Sequence, residues 1–155
     1  MVVSQLLAVL DDLLATDPHD LVDRQRADAL IEFEQIARRL DAARARTLAV
    51  FDSRRACAAD GYPTTTSWLR AQCGSSRGAA SSAVRLARGL RDLPLTASAL
   101  GDGRISAAHA AAITGLLPAI PLQRLLETEA QFVTLAELWE PGQLHRYAQT
   151  VRHAY

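Results

Sequence analysis

An all-α fold is what this chain predicts, and three observations predict it. Apolar residues recur at three- and four-residue steps along most of its length. No stretch alternates with period two between turn dipeptides, as strands would. Ser, Thr, Gly and Pro stand where helices would start and stop. The result is a single all-helical domain over residues 1–155 with about seven helices. One of them is long (about 20–59), and a helix-turn-helix-like hairpin lies at about 65–91.

The elements follow in order. Ser4 is placed to cap a first short helix whose apolar set is Leu6, Leu7, Val9, Leu10, Leu13 and Leu14. Asp17-Pro18 breaks it, because the residue before Pro is pushed out of the α region. The long helix then carries Leu30, Phe33, Ala37, Leu40, Ala43, Leu48 and Phe51 at helical spacing. At 1.5 Å per residue it would span about 50 Å, so its two ends should pack on different neighbours or on a second copy. Asp20, Asp23 and Asp28 suit the positive end of its dipole, and Arg54 and Arg55 the negative end. Gly61 ends the helix and Pro63 prevents resumption.

Thr65 or Thr66 caps a short helix through Trp68, Leu69 and Cys73, closed by Gly74. Ser75 caps the next, which runs to Asp92 before Leu93-Pro94. A brief helix around Leu95–Leu100 stops at Gly101-Asp102-Gly103. Ser106 caps AAHAAAITGLL, which ends before Pro118. Pro121 opens a helix through Leu135, and Trp139-Glu140-Pro141 starts a last one with Leu144, Tyr147 and Val151. Trp68 and Trp139 read as core anchors, with Trp139 nearer a surface.

Composition narrows the function. Half the residues are apolar and charges are plentiful, which fits a folded domain. No apolar run approaches the ~20 residues that cross a bilayer, and the start lacks a signal peptide's basic region. The expectation is a cytoplasmic protein with no membrane role. Cys57 and Cys73 sit singly, outside any metal-ligand spacing. There is no Lys and no Asn, and all seventeen basic residues are Arg. Both missing residues have A/T-rich codons, which points to a high-G+C genome.

Net charge is zero but unevenly spread. Residues 1–34 hold eight acids against Arg24 and Arg26, a balance of −6. Residues 35–115 hold twelve Arg against five Asp, a balance of +7. Such a middle suits an acidic partner, either nucleic acid or the chain's own beginning.

The hairpin at 65–91 has the outline of a helix-turn-helix reader. With Arg77 at zero on its second helix, Arg88 falls near 20°, Arg85 near 80° and Arg91 near −40°, at about 100° per residue. Ala79, Ala83, Leu86, Ala87 and Leu90 lie opposite, and only Val84 sits among the arginines. A guanidinium fork donates two parallel hydrogen bonds to phosphate and keeps its charge. Four such contacts would give a salt slope of roughly −3.6 on duplex DNA. The bland reading of the same stripe is a solvated helix face in an Arg-only protein.

No catalytic constellation emerges. His109 lies in the first turn of an Ala-rich helix, where packing or capping is its expected role. His19, His145 and His153 have no paired carboxylate, Cys or second His nearby. Ser81 and Ser82 lack a GxSxG elbow, and no P-loop or Rossmann glycine pattern occurs. No small-molecule substrate is identified.

Two stretches carry resemblances. GDGRISAAHAAAI is similar to a short motif of ParB-type partition proteins, where a Gly-basic turn, here with Arg104, precedes a Ser-capped helix in a DNA-binding unit. More broadly, DGYPTTTSWLRAQCGSS followed by AVRLARGLRDLPLTASALGDGRISAAHAAAIT resembles the actinobacterial domain of unknown function 222 family, also called the 13E12 repeat family. Members of that family commonly carry an HNH endonuclease after the helical part. The resemblance implies a non-catalytic N-terminal module that positions or regulates a nuclease on DNA, with catalytic residues beyond Tyr155. An ending in mid-helix fits a piece of such a longer protein.

An HNH motif needs a central Asn, so this chain cannot contain one. A divalent metal is expected only if an HNH domain follows, and no cofactor in this chain. The nucleic-acid-binding candidates are Arg77, Arg85, Arg88, Arg91 and Arg104, with duplex DNA as partner. The rival reading is an interaction module forming a homo-dimer through the long helix, with no nucleic-acid role. A stand-alone helix-turn-helix regulator would need polar base readers, and the Gln residues lie elsewhere.

Overall fold

A computed structural model describes residues 2–154 and contains, among them, eight α-helices, two 3-10 turns and no strand. The helices are α1 (Val2–Ala15), α2 (Asp23–Ser53), α3 (Thr65–Cys73), α4 (Arg77–Asp92), α5 (Pro94–Gly101), α6 (Ala107–Thr114), α7 (Leu122–Leu138) and α8 (Pro141–Ala154). The all-α expectation holds, with one helix more than the approximate count. The chain divides into two compact units, Met1–Glu34 and Gln35–Tyr155.

Several boundaries moved for local reasons. α1 begins at Val2, so Ser4 lies inside it and is no cap. Pro18–Asp20 forms a 3-10 turn whose first amide, that of His19, donates to the Asp17 carboxylate at 2.9 Å. The long helix therefore starts at Asp23 rather than about 20. It stops at Ser53 rather than 59, because Arg55 takes a left-handed conformation with φ 51°. A 3-10 turn, Ala56–Asp60, follows and closes on Gly61 at φ 79°. The caps of α3 and α4 fall one residue from the expected positions, on Thr64 and Ser76.

Residues 2–34 bury nothing. Eleven large apolar side chains there are exposed, from Val2 and Val3 through Leu14 to Phe33. Local polar contacts hold the segment instead. Arg24 pairs with Asp28 at 3.1 Å, and Arg26 bonds Asp23 and the carbonyls of Pro18 and His19.

Residues 35–154 have a core in two parts. The larger gathers Leu93, Leu100, Ile105, Ile113, Leu116, Leu125 and Leu144, all essentially inaccessible, from α5 through α8. Each contributes about 1.5–3 kcal/mol by leaving water. The smaller joins Ala45, Leu48 and Ala49 of α2 to Leu69 of α3 and Ala80, Val84 and Ala87 of α4. Leu90 touches both parts and ties them together.

Two close approaches need glycine. A Cβ at Gly89 would stand 2.5 Å from Cβ of Thr114, so α4 and α6 meet there almost backbone to side chain. At Gly103 the chain turns with φ 76°, its carbonyl accepts from Arg38 Nη1 at 3.2 Å, and an added Cβ would press the Gln35 carbonyl oxygen at 3.3 Å.

One buried acidic residue is structural. Glu129 of α7 is 1% exposed and accepts the Thr96 backbone N–H at 2.7 Å. α5 has Leu93 at its N-cap and no capping side chain of its own. A carboxylate from another helix thus satisfies a free amide at the positive end of α5.

Candidate nucleic-acid interface

α3 and α4 make the hairpin that the sequence predicts, and its turn is specified residue by residue. Thr64 and Ser67 form a reciprocal capping box at the start of α3. Gly74 ends α3 with φ 63°, a conformation that costs other residues, and lets Ser76 cap α4 by accepting the Ala79 amide at 3.1 Å. The two helices then pack tightly, with Leu69 and Val84 in the same cluster.

The arginines of α4 do not form one continuous stripe. Val84, expected among them, is 4% exposed and packs in the smaller core. Ala79 is exposed, although it was counted with the apolar side. The buried arc of α4 is thus rotated toward the arginines by its packing on α2.

Arg88 stays exposed but is paired across to α2. Its Nε and Nη2 donate to the two Asp52 carboxylate oxygens at 2.7 and 2.9 Å, a bidentate pair across α4 and α2. Asp52 also accepts from the Thr65 hydroxyl at 2.8 Å. The Arg88 hydrogen bond, helped by Thr65 and by the charges of Arg88 and Arg91, holds the Asp52 carboxyl below the usual carboxylate range against an opposing desolvation. Arg88 is raised in turn, chiefly by its bond to Asp52.

Arg104 is engaged as well, with Asp102 at 3.4 Å and with Glu137 of α7. Arg77, Arg85 and Arg91 are exposed and have no ion pair among the described residues. Arg85 bonds only the Ser82 hydroxyl one turn back, at 3.1 Å. All five candidates are exposed; three of them have no ion pair among the described residues, and Arg88 and Arg104 are paired with carboxylates.

Sequence reasoning missed the neighbours of Arg91. Arg39 and Arg46 of α2 line with it an open groove of about 880 Å³ between α2, α4 and α5. Separations of some fifty positions along the chain hide that grouping from any local pattern.

His109 is packed and capping. Nδ1 accepts the Ser106 amide at 3.2 Å, and Nε2 lies 2.9 Å from the Trp139 carbonyl oxygen. A carbonyl only accepts, so the hydrogen sits on Nε2 and the ring is fully used. Trp139 is half-buried, edge-on to Tyr147. Trp68 is also half-buried, 4.6 Å from Phe51, and donates Nε1–H to Asp60 at 2.6 Å. Cys57 is buried and Cys73 exposed. Among the described residues no group of three or more His, Cys, Asp or Glu could hold a metal ion, and no helix is long and apolar enough to cross a membrane.

Fold and surface together define an all-helical domain built round a capped α3–α4 hairpin with unpaired arginines on α4. Residues 27–155 match the family model described as domain of unknown function (DUF222), and the chain belongs to that family. No curated protein and no solved structure matches it.

Proposed function

We propose that this chain is a non-catalytic helical module that positions or regulates an HNH-type nuclease on duplex DNA through α4. The observation that carries the reading is the set Arg77, Arg85 and Arg91: three exposed guanidinium groups on one helix with no carboxylate partner among the described residues. A free guanidinium fork donates two parallel hydrogen bonds to a phosphate, as it does to a carboxylate, and keeps its charge. The nuclease half of the reading rests on the family resemblance, with catalytic residues lying beyond Tyr155. A role of this kind belongs in the cytoplasm.

The test uses Arg77→Ala with Arg85→Ala, leaving the Arg88–Asp52 pair untouched. Fluorescence anisotropy with a labelled duplex should show binding by the parent chain and a loss of about tenfold or more in the variant. Equal binding by both would remove α4 from the interface.

A second reading, an interaction module, has its own support. Residues 2–34 expose Val2, Leu6, Leu7, Leu14, Leu30 and Ile31 at more than a third of their surface, and contiguous apolar exposure marks a contact site.

A further inference from the structure

We infer that the groove between α2, α4 and α5 receives α1 from a second copy of this chain. The inference rests on the interaction-module reading above and names its surface and its occupant.

The groove is built for a helix. Its floor is Ala42, Ala45 and Ala49 of α2 with Ala87 of α4, side chains short enough to let another helix approach closely. Its rim carries Arg39, Arg46 and Arg91, none of which has an ion pair among the described residues. The one acid along it, Asp102, is already bonded to Arg104. An alanine floor offers nothing to a phosphodiester backbone but suits an apolar stripe, while the arginines select for acid at its margin.

α1 has the complementary chemistry. Val2, Leu6, Val9, Leu10 and Leu13 fall within about 100° of arc on the helix. Val2, Leu6, Val9 and Leu13 are each more than a third exposed in the single chain. Val3 and Leu7 widen that stripe to about 160°, and Asp11 and Asp12 lie beyond its two edges in the C-terminal half of α1, where the dipole is already negative. Neither has an ion pair among the described residues, and the last turn of α1 holds no basic residue. An acidic, apolar helix end without a counter-charge therefore fits an apolar groove with three unused cations. Every copy carries both halves, so two copies close a symmetric pair with two such contacts.

Sedimentation velocity of the full 155-residue chain tests this. The parent chain should sediment as a dimer whose Kd rises as salt is raised from about 0.05 to 0.5 M. Arg39→Glu with Arg46→Glu should give a monomer, and so should Asp11→Arg with Asp12→Arg. An equimolar mixture of the two should recover the dimer, because each supplies the charge that the other lost. A parent chain that stays monomeric overturns this inference and leaves the interaction-module reading only a different protein as partner. A dimer that ignores salt, or that survives in the Arg39/Arg46 variant, overturns the groove and leaves self-association standing on some other surface.

Discussion

Residues 35–154 place Leu93, Leu100, Ile105 and Ile113 at 0% exposure, whereas residues 2–34 leave Val2, Val3 and Leu14 exposed at 79, 71 and 82%. Both regions are helical, and both are rich in leucine and valine or isoleucine at helical spacing. Helical periodicity therefore says that a stripe exists without saying what covers it. In residues 35–154 the stripes of α4 to α8 cover one another. In residues 2–34 charge does the local organising and the large apolar side chains stay exposed.

Six substitutions sharpen that contrast, the largest expected loss first. Leu100→Ala should lower unfolding stability by about 3–5 kcal/mol, while Leu14→Ala should change it by less than about 0.5 kcal/mol. Urea denaturation measures both, and similar costs would erase the distinction between the regions. Glu129→Ala should cost about 1–3 kcal/mol, since the Thr96 amide loses its acceptor in a buried place. Hydrogen exchange should then show faster exchange at Thr96 before the rest of the core responds.

Within α4 two glycines make an internal control. Gly89→Ala should destabilise by about 1–3 kcal/mol, because its Cβ would collide with Thr114. Gly78→Ala, with nothing within 4 Å of its Cβ, should stabilise by up to about 1 kcal/mol. Opposite signs in thermal unfolding confirm the packing of α4 on α6, and equal signs would contradict it.

The last effect is a pH dependence. Asp52 has a lowered pKa in the fold, so its contribution is fully present above its unfolded value, about 3.9, and is lost as pH falls through the lower folded value. Asp52→Asn should flatten the acid limb of the stability curve below about pH 4 and cost about 1–2 kcal/mol at neutral pH. An unchanged acid limb would mean that the Arg88–Asp52 pair contributes nothing.

Much of this architecture was legible beforehand. Pro, Gly and Ser marked the hairpin and the starts of α5, α6 and α7, because those residues act through local backbone chemistry that neighbours rarely override; α6 ends at Thr114, short of the expected Leu117. The end of α2 was not legible, since Arg54-Arg55-Ala56 reads as helix and only the packed structure puts Arg55 at φ 51°. The remote cap from Glu129 and the Arg88–Asp52 pair join residues more than thirty positions apart. Site reading suffered for the same reason. The helical wheel placed four candidate arginines on α4 and a turn motif supplied Arg104, yet which of them stay free of an ion pair depends on carboxylates contributed by α2, α7 and the Asp102 turn. Arg39 and Arg46 escaped notice because only the fold brings α2 beside α4 and α5.

The salt dependence of duplex binding tests the functional account most directly, because its slope counts the phosphates engaged. With Arg77, Arg85 and Arg91 available and Arg88 and Arg104 committed, log K against log salt should fall with a slope near −2.7, and near −0.9 after Arg77→Ala with Arg85→Ala. No binding at low salt, or the same slope in parent and variant, would contradict the proposal that α4 is the surface that meets DNA.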